Sequence, residues 1–288
     1  MTDPVALQIG RLSIRWYGIF VALGFLAGYR LLHRRAARLG LPVEAAPDIT
    51  LAAMVGGIVG ARLLYVLQNW SAEFSANPLE ALAIWHGGLV FYGGFLGALV
   101  TVIFWSRRQG WPLLAIGDMA APALALGHAF GRVGCLLNGC CFGRVTDSPL
   151  GVSYPGLTSD GLINGPLYMQ RLLGVVPPDA LACAPVFPIQ GVEAFGNLVL
   201  CGVLLRLDRR AALRGRLFPV YLALYAALRF LVEFGRGDYL SRPGGLTSAQ
   251  WFCLALILVG VAWLAWNPGS RSRLKAGKAA EPSAHDRH

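Results

Sequence analysis

Long apolar runs alternate along this chain with short polar links, and each run is close to the length of a membrane crossing. A hydrocarbon core of about 30 Å needs roughly 20 residues in helix. Seven stretches meet that need: 16–32, 48–68, 88–105, 113–136, 189–206, 217–235 and 249–266. Two connecting segments are more than links. Residues 69–87 carry Trp70 and Trp85 around an apolar stretch, which predicts a helix lying in the membrane interface. Residues 138–187, rich in Gly and Pro, are too long for a simple connection and predict a small cap. From Asn267 onward the chain turns polar, as expected of a disordered tail at 267–288.

Composition agrees with the pattern. Of 288 residues 56% are hydrophobic and 14% charged, and the mean hydropathy is +0.55. Water-soluble domains carry about 25% charged residues, so a soluble fold is excluded. The expectation is an all-α integral membrane protein, with residues 1–266 forming one seven-helix domain.

The net charge of +10 raises nucleic acid as a partner, but its distribution argues against one. If seven spans alternate, sixteen of the 25 basic residues fall on one side, in the links near 30–38, 107–108 and 206–216 and in the tail. Six fall on the other side: Arg11, Arg15, Arg144, Arg171, Arg236 and Arg242. The positive-inside rule then puts the N-terminus and the 138–187 cap outside and the C-terminus in the cytoplasm. No basic leader precedes the first apolar run, so that helix is expected to stay in the mature protein.

Three arginines remain inside spans: Arg62, Arg132 and Arg229. At mid-bilayer each costs about 2.5–3.5 kcal/mol, so all three should face an internal, hydrated or anion-bearing cavity. In the sixth span Tyr225, Arg229, Glu233 and Arg236 follow at spacings of four, four and three, which places them on one helical face. Glu233 can orient Arg229 and leave part of its guanidinium fork for a ligand oxygen pair. In the fourth span Gly127, Gly131 and Gly134 clear one side for a backbone or a lipid headgroup, with Arg132 among them. His128 is expected to be a hydrogen-bonded packing residue. The small residues Gly56, Gly57, Gly60, Gly93, Gly94 and Gly97 suit helix–helix contact. Six cysteines occur; Cys201 and Cys253 read as packing residues, and a disulfide from Cys140 or Cys141 to Cys183 is open. Neither the His nor the Cys spacing matches a metal site.

Several blocks carry a resemblance. The stretch Gly131–Gly143, GRVGCLLNGCCFG, is similar to the signature G-R-x-G-N-F-x-N-G-E-x-x-G of the prolipoprotein diacylglyceryl transferase family. RWYG at 15–18, GARLLY at 60–65, GGLVFYGG at 87–94, FPIQGVEA at 187–194 and LRFLVEFGRGD at 228–238 also resemble family blocks, in the family's order. The signature's Asn and Glu are replaced by Cys135 and Cys140, and a histidine that some members carry is Tyr92 here.

The resemblance implies a multi-pass enzyme of the bacterial inner membrane with no cofactor. It would move the sn-1,2-diacylglyceryl group from phosphatidylglycerol to the lipobox cysteine of a prolipoprotein signal peptide, releasing glycerol 1-phosphate. Arg132, Arg229, Tyr92 and Glu233 become the catalytic candidates. Arg132 would bind the lipid phosphate, with Tyr17, Asn138, Gly131, Gly134, Tyr225, Arg236, Gln190 and Glu193 completing the substrate site. An alternative use of intramembrane arginines is a transporter for an anionic solute, though no paired repeat is visible. A thiol oxidoreductase is disfavoured because no C-x-x-C pair occurs.

Overall fold

The computed structural model describes residues 3–10, 12–159, 161–210, 213–238 and 243–266. Arg11, Arg242 and the whole tail from Asn267, with its five basic residues, lie outside these. A hairpin of β1 (Val5–Ile9) and β2 (Leu12–Arg15) leads into α1 (Trp16–Ala36). It is followed by α2 (Ala45–Gln68), α3 (Phe91–Arg108), α4 (Leu113–Asn138), a short α5 (Gly165–Leu172), α6 (Ile189–Leu207), α7 (Leu217–Glu233) and α8 (Ser248–Trp266). A long helix therefore stands at each of the seven expected places. Four of them, α2, α4, α6 and α8, are long and apolar enough to cross a membrane. The chain divides into two compact units, one from Phe25 to Ala123 and one formed by the residues before and after it.

Within the Phe25–Ala123 unit, α2 and α3 pack backbone to backbone. A Cβ added at Gly60 would lie 2.3 Å from the Gly93 carbonyl oxygen, and one at Gly97 would lie 2.1 Å from that of Gly56. Only glycine fits such an approach, so these residues serve packing as expected. Pro122 in α4 has no N–H, which leaves the Asp118 carbonyl without its helical donor. Arg35, expected in a solvated basic link, is instead buried and fills the gap. Its Nη1 donates to the Asp118 and Met119 carbonyls, each at 2.7 Å.

The 69–87 segment is not one interfacial helix. It breaks into a π turn at Trp70–Phe74 and 3-10 turns at Pro78–Leu82 and Ile84–His86. Pro78 cannot continue a helix, and Arg62 takes the carbonyls that a helix would use. Its Nη2 donates to Glu80 (2.6 Å), its Nε to Ala81 (2.9 Å) and its Nη1 to Gly87 (2.6 Å). Trp70, Leu79, Leu82 and Trp85 remain exposed along this segment.

In the other unit, residues 138–187 enclose a core of their own, with Phe142, Tyr154, Leu167, Cys183 and Val186 buried together. The N-terminal hairpin is tied to this segment, since Asp3 Oδ2 accepts the Ser159 N–H at 2.7 Å. The end of α7 is tied to it too. Arg144 N–H donates to the Gly235 carbonyl and Gly237 N–H to the Phe142 carbonyl, both at 3.1 Å.

Candidate active site

The face predicted on α7 carries the centre of a charge cluster. Arg229 Nη1 reaches Glu233 Oε2, one turn on, at 2.5 Å. Glu233 is fully buried, and its other oxygen accepts the Thr247 hydroxyl at 2.7 Å. Thr247 begins α8 through a reciprocal cap. Its N–H donates to Gln250 Oε1 (2.9 Å), and the Gln250 N–H donates to Thr247 Oγ1 (3.2 Å). The start of α8 thus fixes Glu233, and Glu233 fixes Arg229. Beyond the helix, Arg236 forks onto Asp238, with Nε at 2.9 Å from Oδ1 and Nη2 at 2.5 Å from Oδ2. Its Nη1 stands 3.8 Å from Glu233.

Glu193 on α6 links this face to α4. Its Oε1 lies 3.1 Å from Arg132 Nε and 3.9 Å from Arg229 Nε. The result is a chain of alternating charge: Arg132, Glu193, Arg229, Glu233, Arg236, Asp238. Three positive and three negative groups balance, which answers the cost of holding arginines in helices this apolar. Among the inner four groups the two signs are not equally buried, whereas Asp238 at the far end is 18% exposed. The side chains of Glu193 and Glu233 are 3% and 0% exposed, whereas those of Arg132 and Arg229 keep 15% and 11%. Glu193 and Glu233 form the back of the cluster, and the Arg132 and Arg229 guanidiniums its open face. Such a face suits an anion with several oxygens.

Around it stand other expected residues. Gln190 donates from Nε2 to the Cys140 carbonyl at 2.8 Å. Its Oε1 and the Oδ1 of Asn138 are buried without a hydrogen-bond partner among the described residues. Tyr17 backs onto Gly134, where an added Cβ would meet it at 3.3 Å, so that glycine is needed for close packing. At Gly131 a Cβ would meet nothing within 4 Å, so space beside Arg132 stays open. Tyr225 stacks on His128 with ring centroids 4.7 Å apart. The His128 ring nitrogens face the Tyr221 and Tyr225 hydroxyls at 3.5 and 3.3 Å, the hydrogen-bonded packing role expected of it.

One expectation is corrected and one open question, the cysteine pairing, is answered. Arg62 does not offer its fork to an anion, because each of its nitrogens donates to a backbone carbonyl and the group lies over the Tyr65 and Phe74 rings. It borders a separate cavity of about 320 Å³ lined also by Glu73 and Glu80. Tyr92 stands in the first turn of α3 in the Phe25–Ala123 unit, with its ring exposed and edge-on to Phe91. The disulfide to Cys183 is not formed. Cys183 is free and bonds the Tyr154 backbone, whereas Cys140 and Cys141 gather with Cys135, their sulfurs within 4.8 Å of one another. Hydrogen bonds from Cys135 and Cys140 pull the Cys141 thiol below the ordinary range against burial, and Arg236 and Arg132 add to this.

Thr247, Gln250 and Asp238 also belong to the site, though none of them stands among the residues singled out from the sequence. The T-x-x-Q spacing ahead of the last apolar run was the signal for the first two. Comparison with known proteins decides the family. A profile described as prolipoprotein diacylglyceryl transferase matches residues 4–266. The chain belongs to the prolipoprotein diacylglyceryl transferase family. Curated relatives named phosphatidylglycerol–prolipoprotein diacylglyceryl transferase include one from Geobacter sulfurreducens, 35% identical over 81% of this chain and 82% of its own length. Another, from Bordetella bronchiseptica, is 33% identical over 90% and 92%, and one from Chromohalobacter salexigens is 32% identical over 95% and 97%. A member of this family is a transferase, and the solute-transporter alternative falls away. The charge cluster draws on the signature block through Arg132, on FPIQGVEA through Glu193, and on LRFLVEFGRGD through Arg229, Glu233, Arg236 and Asp238.

Proposed function

We propose that this protein transfers the sn-1,2-diacylglyceryl group of phosphatidylglycerol to the lipobox cysteine thiol of prolipoproteins. The observation that carries the site assignment is the open guanidinium face of the Arg132–Glu193–Arg229–Glu233 chain, backed by buried carboxylates. The sulfur attacks the glycerol carbon that bears the phosphate, a C–S bond forms, and the C–O bond breaks. Glycerol 1-phosphate departs with the bonding pair. The thiol proton ends on solvent or on that phosphate monoester, whose second pKa is about 6.

Arg132 binds the phosphate through the nitrogens that face away from Glu193, and Arg229 stabilises charge as it builds on the leaving oxygen. Glu193 and Glu233 are positioning residues that hold the two forks. Arg236, held by Asp238, borders the site and contacts the bound lipid headgroup. Asn138, Gln190, Tyr17 and Tyr225 line the approach, Gly131 and Gly134 keep it narrow and clear, and Tyr92 is an orienting contact. The cationic surroundings also favour the attacking sulfur as thiolate, since a free thiol has a pKa of about 8.5.

In the proposed topology all seven long helices cross the bacterial inner membrane, with the N-terminus and the 138–187 cap outside and the 267–288 tail in the cytoplasm. Two contacts support one shared side for the non-cytoplasmic segments: Asp3 with Ser159, and Gly235 with Arg144. The exposed tryptophans of 69–87 suit the membrane interface. The test is incubation of the purified protein with phosphatidylglycerol and a lipobox peptide. A thioether-linked diacylglyceryl peptide, seen by mass spectrometry together with glycerol 1-phosphate, is expected. No product from folded protein, or a product formed equally well from phosphatidylcholine, would overturn the reading.

A further inference from the structure

The turn that leaves α4 gathers three thiols, and nothing in the transfer chemistry uses them. Cys135 lies in the last turn of the helix. The chain then reverses through Gly139, whose φ is +72°, and the Cys140 N–H returns to the Cys135 carbonyl at 3.2 Å. Cys141 takes a φ of +58°, and among the described residues it alone has a positive φ without being glycine. The left-handed region costs a side-chain-bearing residue roughly 1–2 kcal/mol. A filler residue gains nothing from that conformation, and glycine would adopt it freely. The turn brings the three sulfurs within 4.8 Å of one another, with Cys135 buried and the other two partly so.

We propose that Cys135, Cys140 and Cys141 form a three-thiolate site for a thiophilic divalent metal ion of the zinc and cadmium class. With zinc–sulfur bonds of about 2.3 Å, tetrahedral geometry puts two sulfurs about 3.8 Å apart. The cluster needs to close by no more than about 1 Å, within reach of small side-chain rotations. Three thiolates and one divalent ion carry a net charge of −1. Arg132, one turn before Cys135, and Arg236 supply compensating positive charge. The Cys140 sulfur is oriented by the Cys135 carbonyl, 3.8 Å away, and Asn138 stands beside it, as outer-shell partners of metal ligands do. Two of the three positions, 135 and 140, are those where this chain departs from the family signature, so the site would belong to a subset of the family. A three-sulfur set leaves a fourth coordination position open.

The test needs no transfer assay. The full chain, purified under mild reduction and without chelator, is analysed for bound metal, then stripped and titrated with Cd²⁺ alone. One ion per chain and a saturable thiolate-to-cadmium charge-transfer absorption are expected. Mass-spectrometric mapping of maleimide labelling, with and without Cd²⁺, should show protection at Cys135, Cys140 and Cys141 but not at Cys183, Cys201 or Cys253. Cys141→Ser should weaken binding more than about 100-fold, since loss of an outer-shell partner already costs 10–100-fold. Three results would overturn the proposal: no saturable binding, protection spread over other cysteines, or a native disulfide among the three. The labelling map of the wild-type protein decides the matter even if the variant fails to fold.

Discussion

Replacing Glu193 by Gln keeps the side-chain shape and removes the charge shared by two guanidiniums. The Arg132 and Arg229 nitrogens stand 3.1 and 3.9 Å from one Glu193 oxygen, and no side chain of the three is more than 15% exposed. Each contact is worth about 4 kcal/mol of gross attraction at an effective dielectric of about 20. Desolvation offsets most of that in the intact protein but not after one partner is deleted. Breaking a buried pair in this way costs about 3–5 kcal/mol. At about 2–4 °C per kcal/mol for a chain of this general size, the unfolding midpoint should fall by roughly 6–20 °C. The assay is thermal unfolding of purified protein in lipid nanodiscs of two compositions. In phosphatidylcholine the full deficit is expected. In phosphatidylglycerol a bound phosphate replaces part of the lost negative charge, and the deficit should shrink measurably. Transfer by the variant should drop on the order of 100-fold, the effect of about 1 Å of misplacement at a reacting centre. An unchanged midpoint would refute the buried-bridge argument. A deficit independent of the lipid would refute the claim that the guanidinium face takes a phosphate.

Four further outcomes follow from the same geometry. Arg132→Ala and Arg229→Ala should each abolish transfer while the protein still inserts and purifies, as read by product mass spectrometry beside size-exclusion profiles. Thr247→Val loses both a helix cap and the hydroxyl on Glu233, and should cost about 1–3 kcal/mol in thermal unfolding; Thr247→Ser should recover most of it. Arg62→Lys keeps the charge but not the fork that holds three carbonyls, so limited proteolysis should cut the 69–87 segment faster than in the wild type. Gly97→Ala, whose Cβ would lie 2.1 Å from a backbone oxygen, should impair folding, whereas Gly127→Ala meets nothing within 4 Å and should be neutral or slightly stabilising.

How much of this was legible beforehand depends on the range over which each feature is encoded. Helix positions are written in runs of some twenty residues, and the α2, α6, α7 and α8 boundaries fall within three residues of the expected ones. The Arg229–Glu233 contact is encoded by a spacing of four and was visible for that reason. The Arg132–Glu193 bridge spans 61 positions on separate helices, and only the family blocks brought those two residues into one candidate list. Arg62 shows the opposite failure. Its place inside an apolar run was evident, but its acceptors are main-chain carbonyls, which leave no trace in residue identity. The cysteine cluster was hidden because a helix end, a left-handed glycine and a left-handed cysteine fold positions 135, 140 and 141 back together. Spacing alone treats them as points along a line.

The ordering of charge by depth ties fold to chemistry. Arg132 and Arg229, left alone at mid-bilayer, would cost about 5–7 kcal/mol. Glu233 answers Arg229 within α7, but Glu193 on α6 reaches Arg132 and Arg229 only when α4, α6 and α7 are together, so the cluster selects its own assembly. Had Glu193 and Glu233 been more exposed than Arg132 and Arg229, the same four groups would repel a phosphate. Because Glu193 and Glu233 sit behind Arg132 and Arg229, and Thr247 closes the back with a hydroxyl donor, the neutral cluster still presents positive charge on its accessible side. Exchanging the two signs, as in Glu193→Arg combined with Arg132→Glu, would preserve the net charge and the pairing while turning that side negative. If such a double variant folded and still transferred lipid at the wild-type rate, the depth ordering would have no part in function.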